Sequence, residues 1–296
     1  MLPEPGMRAL LRNSTALVFL ALAIPVQAQN AQALRDRHEV LSAELADNPF
    51  GRPLHVESGE NGSEHRGAVY AVIEQPFKRV GPALRRAVQW CDVLILQANV
   101  KDCEAFNGGG ETLSLFVARK PTDRLDQAYR TDFSYAVRSA SDDYLHVALH
   151  APEGPLGTTD YRIRLEAAPL DAKRTFVHLA YSYGLRGAAR MGMSMYLSTS
   201  GRDKVGFSVV GRTTDGQPVY VGGVRGMVER TTMRYYLALE AYLATLEAPT
   251  PERVDKRLRV FHAGLERYAQ QLHELDLSEY LEIKRRDVSR VTQARQ

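Results

Sequence analysis

No stretch of this sequence approaches the roughly twenty consecutive apolar residues that a membrane-crossing helix needs. The uncharged run Ala16 to Ile24 is about half that length, and nothing comparable follows it. Signatures of chemistry are also missing. Gly108-Gly109-Gly110 lacks the Lys-Ser/Thr sequel of a phosphate loop and reads as a flexible connection. Gly192-Met193-Ser194-Met195 lacks the second glycine of a nucleophile elbow, and no Asp/His arrangement can be read around Ser194. His146 and His150 share one face of a strand-like segment, with His178 on another. Four residues of strand span about 13 Å, too far for two ligands of one metal ion. A formal net charge of +3 selects no charged partner. Lys78, Arg79, Arg85 and Arg86 form a basic helix face, and Lys284, Arg285 and Arg286 a basic tail. Both are ordinary solvated surface before they are a nucleic-acid site; transient contact with an anionic membrane surface is the better functional reading.

What is present begins at the N-terminus. Arg8 and Arg12 precede the apolar run, and Pro25 with the small-residue site Val26-Gln27-Ala28 follows it. That order reads as a secretory signal over residues 1–28, cut near Ala28. The Ala-rich segment points to a bacterial periplasm, or to secretion, as the destination. Cleavage there removes Arg8, Arg12 and Glu4, two positive charges and one negative, and leaves +2 of the original +3. The remainder is long enough for one large domain with helical appendages.

Cys91 and Cys103 are the two cysteines of the chain. In an oxidising compartment they are a candidate pair closing a loop of about a dozen residues, worth on the order of 3 kcal/mol. Two buried thiols that never meet is the other reading, because cysteine is among the most buried residue types.

Periodicity then divides the chain. Leu34, His38, Leu41 and Leu45 lie on one helical stripe, which Asp47-Asn48-Pro49 ends. After a polar stretch from Ser58, residues 68–74 read as a first strand. Pro76 opens a helix with Phe77, Val80, Leu84, Val88 and Cys91 three or four apart. Alternation predicts strands over 113–119, 128–138, 144–150, 161–167 and 175–183, and Met191, Met193, Met195 and Leu197 extend the period of two. A hairpin is predicted around Asp215-Gly216. The short spacings leave no room for crossover helices, so the strands are antiparallel neighbours. A long helix over 226–247 is apolar round most of its circumference and must be covered on more than one side. Thr250-Pro251-Glu252 opens a last helix with a docking seam at Val254, Leu258, Phe261, Leu265, Tyr268 and Leu272. The tail beyond Lys284 is expected to fray.

This order of elements resembles the START-like, or helix-grip, superfamily of polyketide-cyclase and lipid-transfer folds. Gly67-Ala68-Val69-Tyr70 leading into Pro76-Phe77, and Met233-Arg234-Tyr235-Tyr236 in the long helix, are the closest local echoes. The resemblance implies an α+β domain over 67–247, with an N-terminal helix and linker over 29–66 and a C-terminal amphipathic helix and tail over 248–296. It also implies a curved antiparallel sheet wrapped round the long helix, with a cavity between them for an apolar ligand such as a lipid or a polycyclic molecule. Met191, Met193 and Met195 suit such a cavity because thioethers adapt to irregular apolar shapes. Tyr181, Tyr183, Tyr235, Tyr236 and Tyr242 join them, with Arg138 and Glu240 as polar anchors. Each of these residue types also fills cores or solvated surface. No cofactor and no metal ion is expected. The expected function is binding or transfer of a hydrophobic small molecule or lipid in the periplasm. A cyclase, aromatase or hydrolase on the same fold, and an interaction protein using its last helix, are the alternatives.

Overall fold

The computed structural model describes residues 26–106, 111–199 and 201–294. The signal-like segment up to Pro25 and the Gly108-Gly109-Gly110 connection lie outside the described residues. Two helices come first, α1 (Val26–Val40) and α2 (Ser42–Ala46). Strands β1 (Leu54–Asn61) and β2 (Glu64–Ile73) follow as a hairpin. The predicted linker therefore contains a strand, which its polar residues concealed.

The helix expected after Pro76 is broken into α3 (Phe77–Val80), a single 3₁₀ turn and α4 (Ala87–Leu94). Pro82 lacks an N–H and cannot continue the ladder. The Leu84 carbonyl left over at the break accepts hydrogen bonds from Trp90 Nε1 at 3.1 Å and Tyr135 Oη at 2.9 Å. Six strands then run consecutively: β3 (Val100–Phe106), β4 (Thr112–Val117), β5 (Tyr129–Ala140), β6 (Leu145–Glu153), β7 (Thr159–Pro169) and β8 (Thr175–Gly184). Cys91 and Cys103 are joined by a disulfide that ties α4 to β3, with 5.3 Å between their Cα atoms. The alternative of two separate thiols is thereby excluded.

Beyond β8 lies a helix, α5 (Gly187–Ser198), where alternation had predicted a strand through Met191, Met193 and Met195. Methionines two apart mimic a strand, but Met and Ala favour helix over strand. The predicted hairpin is present as β9 (Val209–Arg212) and β10 (Pro218–Tyr220). Four helices finish the chain: α6 (Gly223–Ala244), α7 (Thr250–Glu266), α8 (Ala269–Leu272) and α9 (Leu277–Ala294). No described helix is long and apolar enough to cross a membrane.

The large sheet has eight antiparallel strands in the order β1-β2-β8-β7-β6-β5-β4-β3, and α6 lies across β1, β2 and β8 on its inner face. A sheet gripping a long helix is the arrangement expected from the sequence, with β1 added at one edge. Gly67 permits it: a Cβ there would stand 2.5 Å from Thr232 Oγ1 and 2.7 Å from Val228 Cγ1 of α6. The seam on the other side of α6 is filled by α7, whose Leu258, Phe261 and Leu265 are buried. The tail predicted to fray is instead a packed helix. Tyr280 Oη of α9 donates to the Leu96 carbonyl at 2.8 Å, and Lys284 is fully buried with its ammonium on the Val100 carbonyl.

Two outcomes are expected. Gly67→Ala should destabilise the protein by about 1–3 kcal/mol in urea unfolding, because the added methyl must push α6 off β2. Burial lowers the Lys284 ammonium from 10.5 to about 8, against the partial rescue by Asp287. Above about pH 8 the unfolded chain holds a proton the folded one has released, so stability should rise with pH, by about 2 kcal/mol between pH 8 and 9.5. Lys284→Met should lose most of that rise.

Candidate functional site

The inner face of the sheet is the core. Val147, Ile163, Leu165, Met233 and Tyr236 are fully buried, so they touch nothing water-sized, inside or out. The tyrosines proposed as cavity lining fill this space themselves. Tyr181 packs edge-on against Tyr235 at 5.4 Å, and Tyr183 stacks on Tyr161 at the same distance. Burial raises the pKa of both the Tyr181 and Tyr183 hydroxyls, and Tyr183 Oη has no hydrogen-bond partner. Tyr236 donates toward Glu240 and accepts from Arg52 at 2.8 Å. Glu240 is held by Arg52 in a bidentate pair, so it anchors the N-terminal linker to α6 and not a ligand. Tyr242 is buried beneath Arg257, whose guanidinium lies 4.5 Å from its ring centre. Arg138 is exposed beside a bulge in β5. Met191 and Met195 are 73% and 70% exposed on α5, and Met193 alone packs against the core. The structure therefore brings Tyr181, Tyr183 and Tyr235 together, sets Tyr236 and Tyr242 against Arg52 and Arg257, and leaves the exposed methionines and the two charges apart. The gap expected under the helix is filled at these side chains, because Gly67 lets α6 settle directly on the strands.

A depression exists on the opposite face. Side chains two apart in a strand share a face, and the pairing of β2, β8 and β7 arranges the outer face in rows. Arg66, Ser182 and Arg162 form one row, Ala68, Ala180 and Arg164 the next, and Tyr70, His178 and Glu166 the third. Beyond the third row the face is covered by α1, whose Ala31 and Leu34, with Leu41 and Leu45 behind them, bury Phe176, Val72 and Tyr144. The uncovered part is a groove of about 900 Å³. Its floor is alanine, its walls are arginine on one side and a ring pair on the other. It crosses four strands from β1 to β7, about 14 Å at the usual strand spacing.

The ring wall is rigid. Tyr70 and His178 stack with 4.4 Å between ring centres and 2° between planes. Arg37 of α1 sits 5.0 Å from the Tyr70 ring centre and pairs with Glu57. His178 Nδ1 lies 2.9 Å from Glu166, which also accepts from the Tyr144 hydroxyl. Burial alone would raise the Glu166 carboxyl, but these two hydrogen bonds outweigh it and hold its pKa at about 2.

On the arginine side, Arg162 and His150 share Asp160, at 2.9 and 2.8 Å. Arg225 donates to Ser58 Oγ at 3.2 Å. Arg66 and Arg164, like Arg225, have no carboxylate partner among the described residues. The β1 end of the groove is set by buried Glu229, which accepts from the Ser58 and Ser208 hydroxyls at 2.6 and 2.7 Å and from the Phe207 and Ser208 amides. Gly206 is required there, since a Cβ would meet the Glu229 carboxylate at 2.6 Å. Sequence reasoning missed this site. Its one trace was the alternation Arg162–Arg164 against Ile163–Leu165, which marks a strand with a basic outer face. Among the described residues no group of three His, Cys, Asp or Glu side chains could hold a metal ion.

Because Glu166 titrates near 4.5 when unfolded and about 2 when folded, its contribution is present above pH 4.5 and lost as pH falls through 2. Stability in urea should drop by roughly 3 kcal/mol across that window, and Glu166→Gln should remove this part of the acid dependence.

No protein-family model and no curated protein matches this chain. Among solved structures, it is similar to the Zhui aromatase/cyclase from Streptomyces sp. R1128, at 18% identity and a TM-score of 0.35, over 64% of this chain and 93% of that one. It is similar to norcoclaurine synthase from Thalictrum flavum at 12% identity and a TM-score of 0.31, over 49% and 76% of the two chains. A START superfamily protein from Mycobacterium smegmatis aligns at 11% identity and a TM-score of 0.31, over 46% and 92%.

Proposed function

We propose that this is an exported binding protein for a small amphipathic organic anion, which lies in the groove on the outer face of the sheet. The observation that carries the reading is that Arg66 and Arg164, neither paired with a carboxylate among the described residues, both border the groove floored by Ala68 and Ala180. A guanidinium offers planar, paired donors to a carboxylate, sulfonate or phosphate. The alanine floor admits a flat apolar body beside the charged head. Hydrophobic small-molecule binding thus moves from the interior to the groove, and the charge of the ligand becomes its first selection. Export is supported by the signal-like order of residues 1–28 and by the Cys91–Cys103 disulfide, since disulfides persist in oxidising compartments.

Recognition fits the groove better than catalysis. His178, its one well-oriented imidazole, is stacked on Tyr70 and tied to Glu166. Ser182, the hydroxyl on the same strand face, is four residues away, about 13 Å.

Isothermal titration with decanesulfonate, decanoate and decanol tests the reading. The two anions should bind at least about tenfold more tightly than the alcohol, a difference of about 1.4 kcal/mol. Arg66→Gln and Arg164→Gln should each weaken the anions about fivefold, and added salt should weaken them further. Equal affinity for decanol, or indifference to both substitutions, would sink the proposal.

A further inference from the structure

Where α9 meets the edge strand, charge is left unbalanced. Asp287 is buried, and three cations converge on its carboxylate. Lys101 Nζ is 3.6 Å away, Lys284 Nζ 3.3 Å, and the Arg290 guanidinium holds the other oxygen. The lysines spend further donors on neutral acceptors, the carbonyls of Pro121 and Val100. One negative charge therefore answers three positive ones, two of them on lysines buried from water, and like charges repel strongly in such a medium. Arg290 Nε is buried and donates to nothing. Arg286, one turn earlier on α9, is exposed and has no carboxylate partner among the described residues.

This cluster opens on a depression of about 620 Å³ between α9 and the β4–β5 loop, lined by residues 122–126 with Arg286, Asp287 and Arg290. The two other carboxylates on its rim are engaged: Asp126 pairs with Arg124 at 3.1 Å, and Asp123 accepts the Lys120 amide at 2.9 Å. Lys101, Lys284, Arg124, Arg286 and Arg290 thus face Asp123, Asp126 and Asp287, an excess of two positive charges.

We propose that this depression binds a small dianionic oxyanion of the phosphate class, held by Arg286 and Arg290, whose charge completes the Lys101–Asp287–Lys284 cluster and fastens α9 to the β4–β5 loop. Two guanidiniums one helical turn apart can each offer paired donors to such a group. The site is separate from the outer-face groove and stands on different residues. Inorganic phosphate and a phosphomonoester present the same terminal chemistry.

The test uses the full chain carrying Arg66→Gln, Arg164→Gln and Arg225→Gln, which removes the groove guanidiniums that have no carboxylate partner among the described residues. Calorimetric titration with inorganic phosphate is run against chloride at equal ionic strength, and thermal unfolding is followed in both. Phosphate should bind with saturation and raise Tm, as any ligand selective for the folded state does. Arg286→Gln should weaken it at least about fivefold; its exposed side chain makes no contact the fold needs, so lost affinity is not lost folding. Glycerol phosphate binding no better than phosphate identifies the free ion as the ligand, and tighter binding identifies an ester. Absence of saturable binding above the chloride control, or unchanged binding in an Arg286→Gln/Arg290→Gln variant, overturns the proposal.

Discussion

Gly67 has no Cβ, and α6 occupies the space one would have taken. Thr232 and Val228 come so close to the β2 backbone that no side chain fits between them. Helix and sheet are therefore in direct contact along β1, β2 and β8. The aromatic residues of α6 and β8 interlock instead of framing a void, and Tyr161, Tyr181, Tyr183 and Tyr235 form one cluster. A sheet filled from within has only its outer face left for recognition. On that face α1 covers the row of Val72 and Phe176 and stops, which leaves the arginine rows open.

The same economy governs the other edge. The β3 edge would expose unpaired backbone groups to a second chain, and α9 lies against it. The disulfide and the hydrogen bonds to the Leu84 and Leu96 carbonyls fix the helices that do the covering. Burying two lysines against one aspartate is a costly way to seat a helix, because removing charge from water is unfavourable unless every charge is matched. The unmatched remainder is what makes the α9 edge chemically distinct from the rest of the surface.

Much of the fold was legible. Six strands, the Asp215-Gly216 hairpin, the long helix and its cover by a following helix all follow from periods of two and of three to four. The misreadings have local causes. Met191, Met193 and Met195 alternate by composition alone, with no cross-strand partner to hold them as a strand. Residues 54–61 are polar because β1 is an edge strand with a solvated outer face. Lys284 and Arg285 look like a solvated tail until β3 supplies the carbonyl that lets Lys284 be buried. Of the candidate site residues, Tyr181, Tyr183 and Tyr235 pack on one another at the core. Arg66, Arg162 and Arg164 went unnoticed because they lie on two rows of a face whose neighbours are set by register between distant strands.

By itself the sequence determined the signal-like N-terminus, the antiparallel strand order, the helical period of α6 and the availability of a single cysteine pair. These are properties of spacing along the chain, which local backbone geometry reads directly. Tertiary structure alone decided that tyrosines of β8 and α6 would pack on one another, that Arg66 and Arg164 would border one groove, and that three cations would meet Asp287. Each depends on contacts between residues many tens of positions apart, whose distance is set by packing and register and leaves no periodic trace.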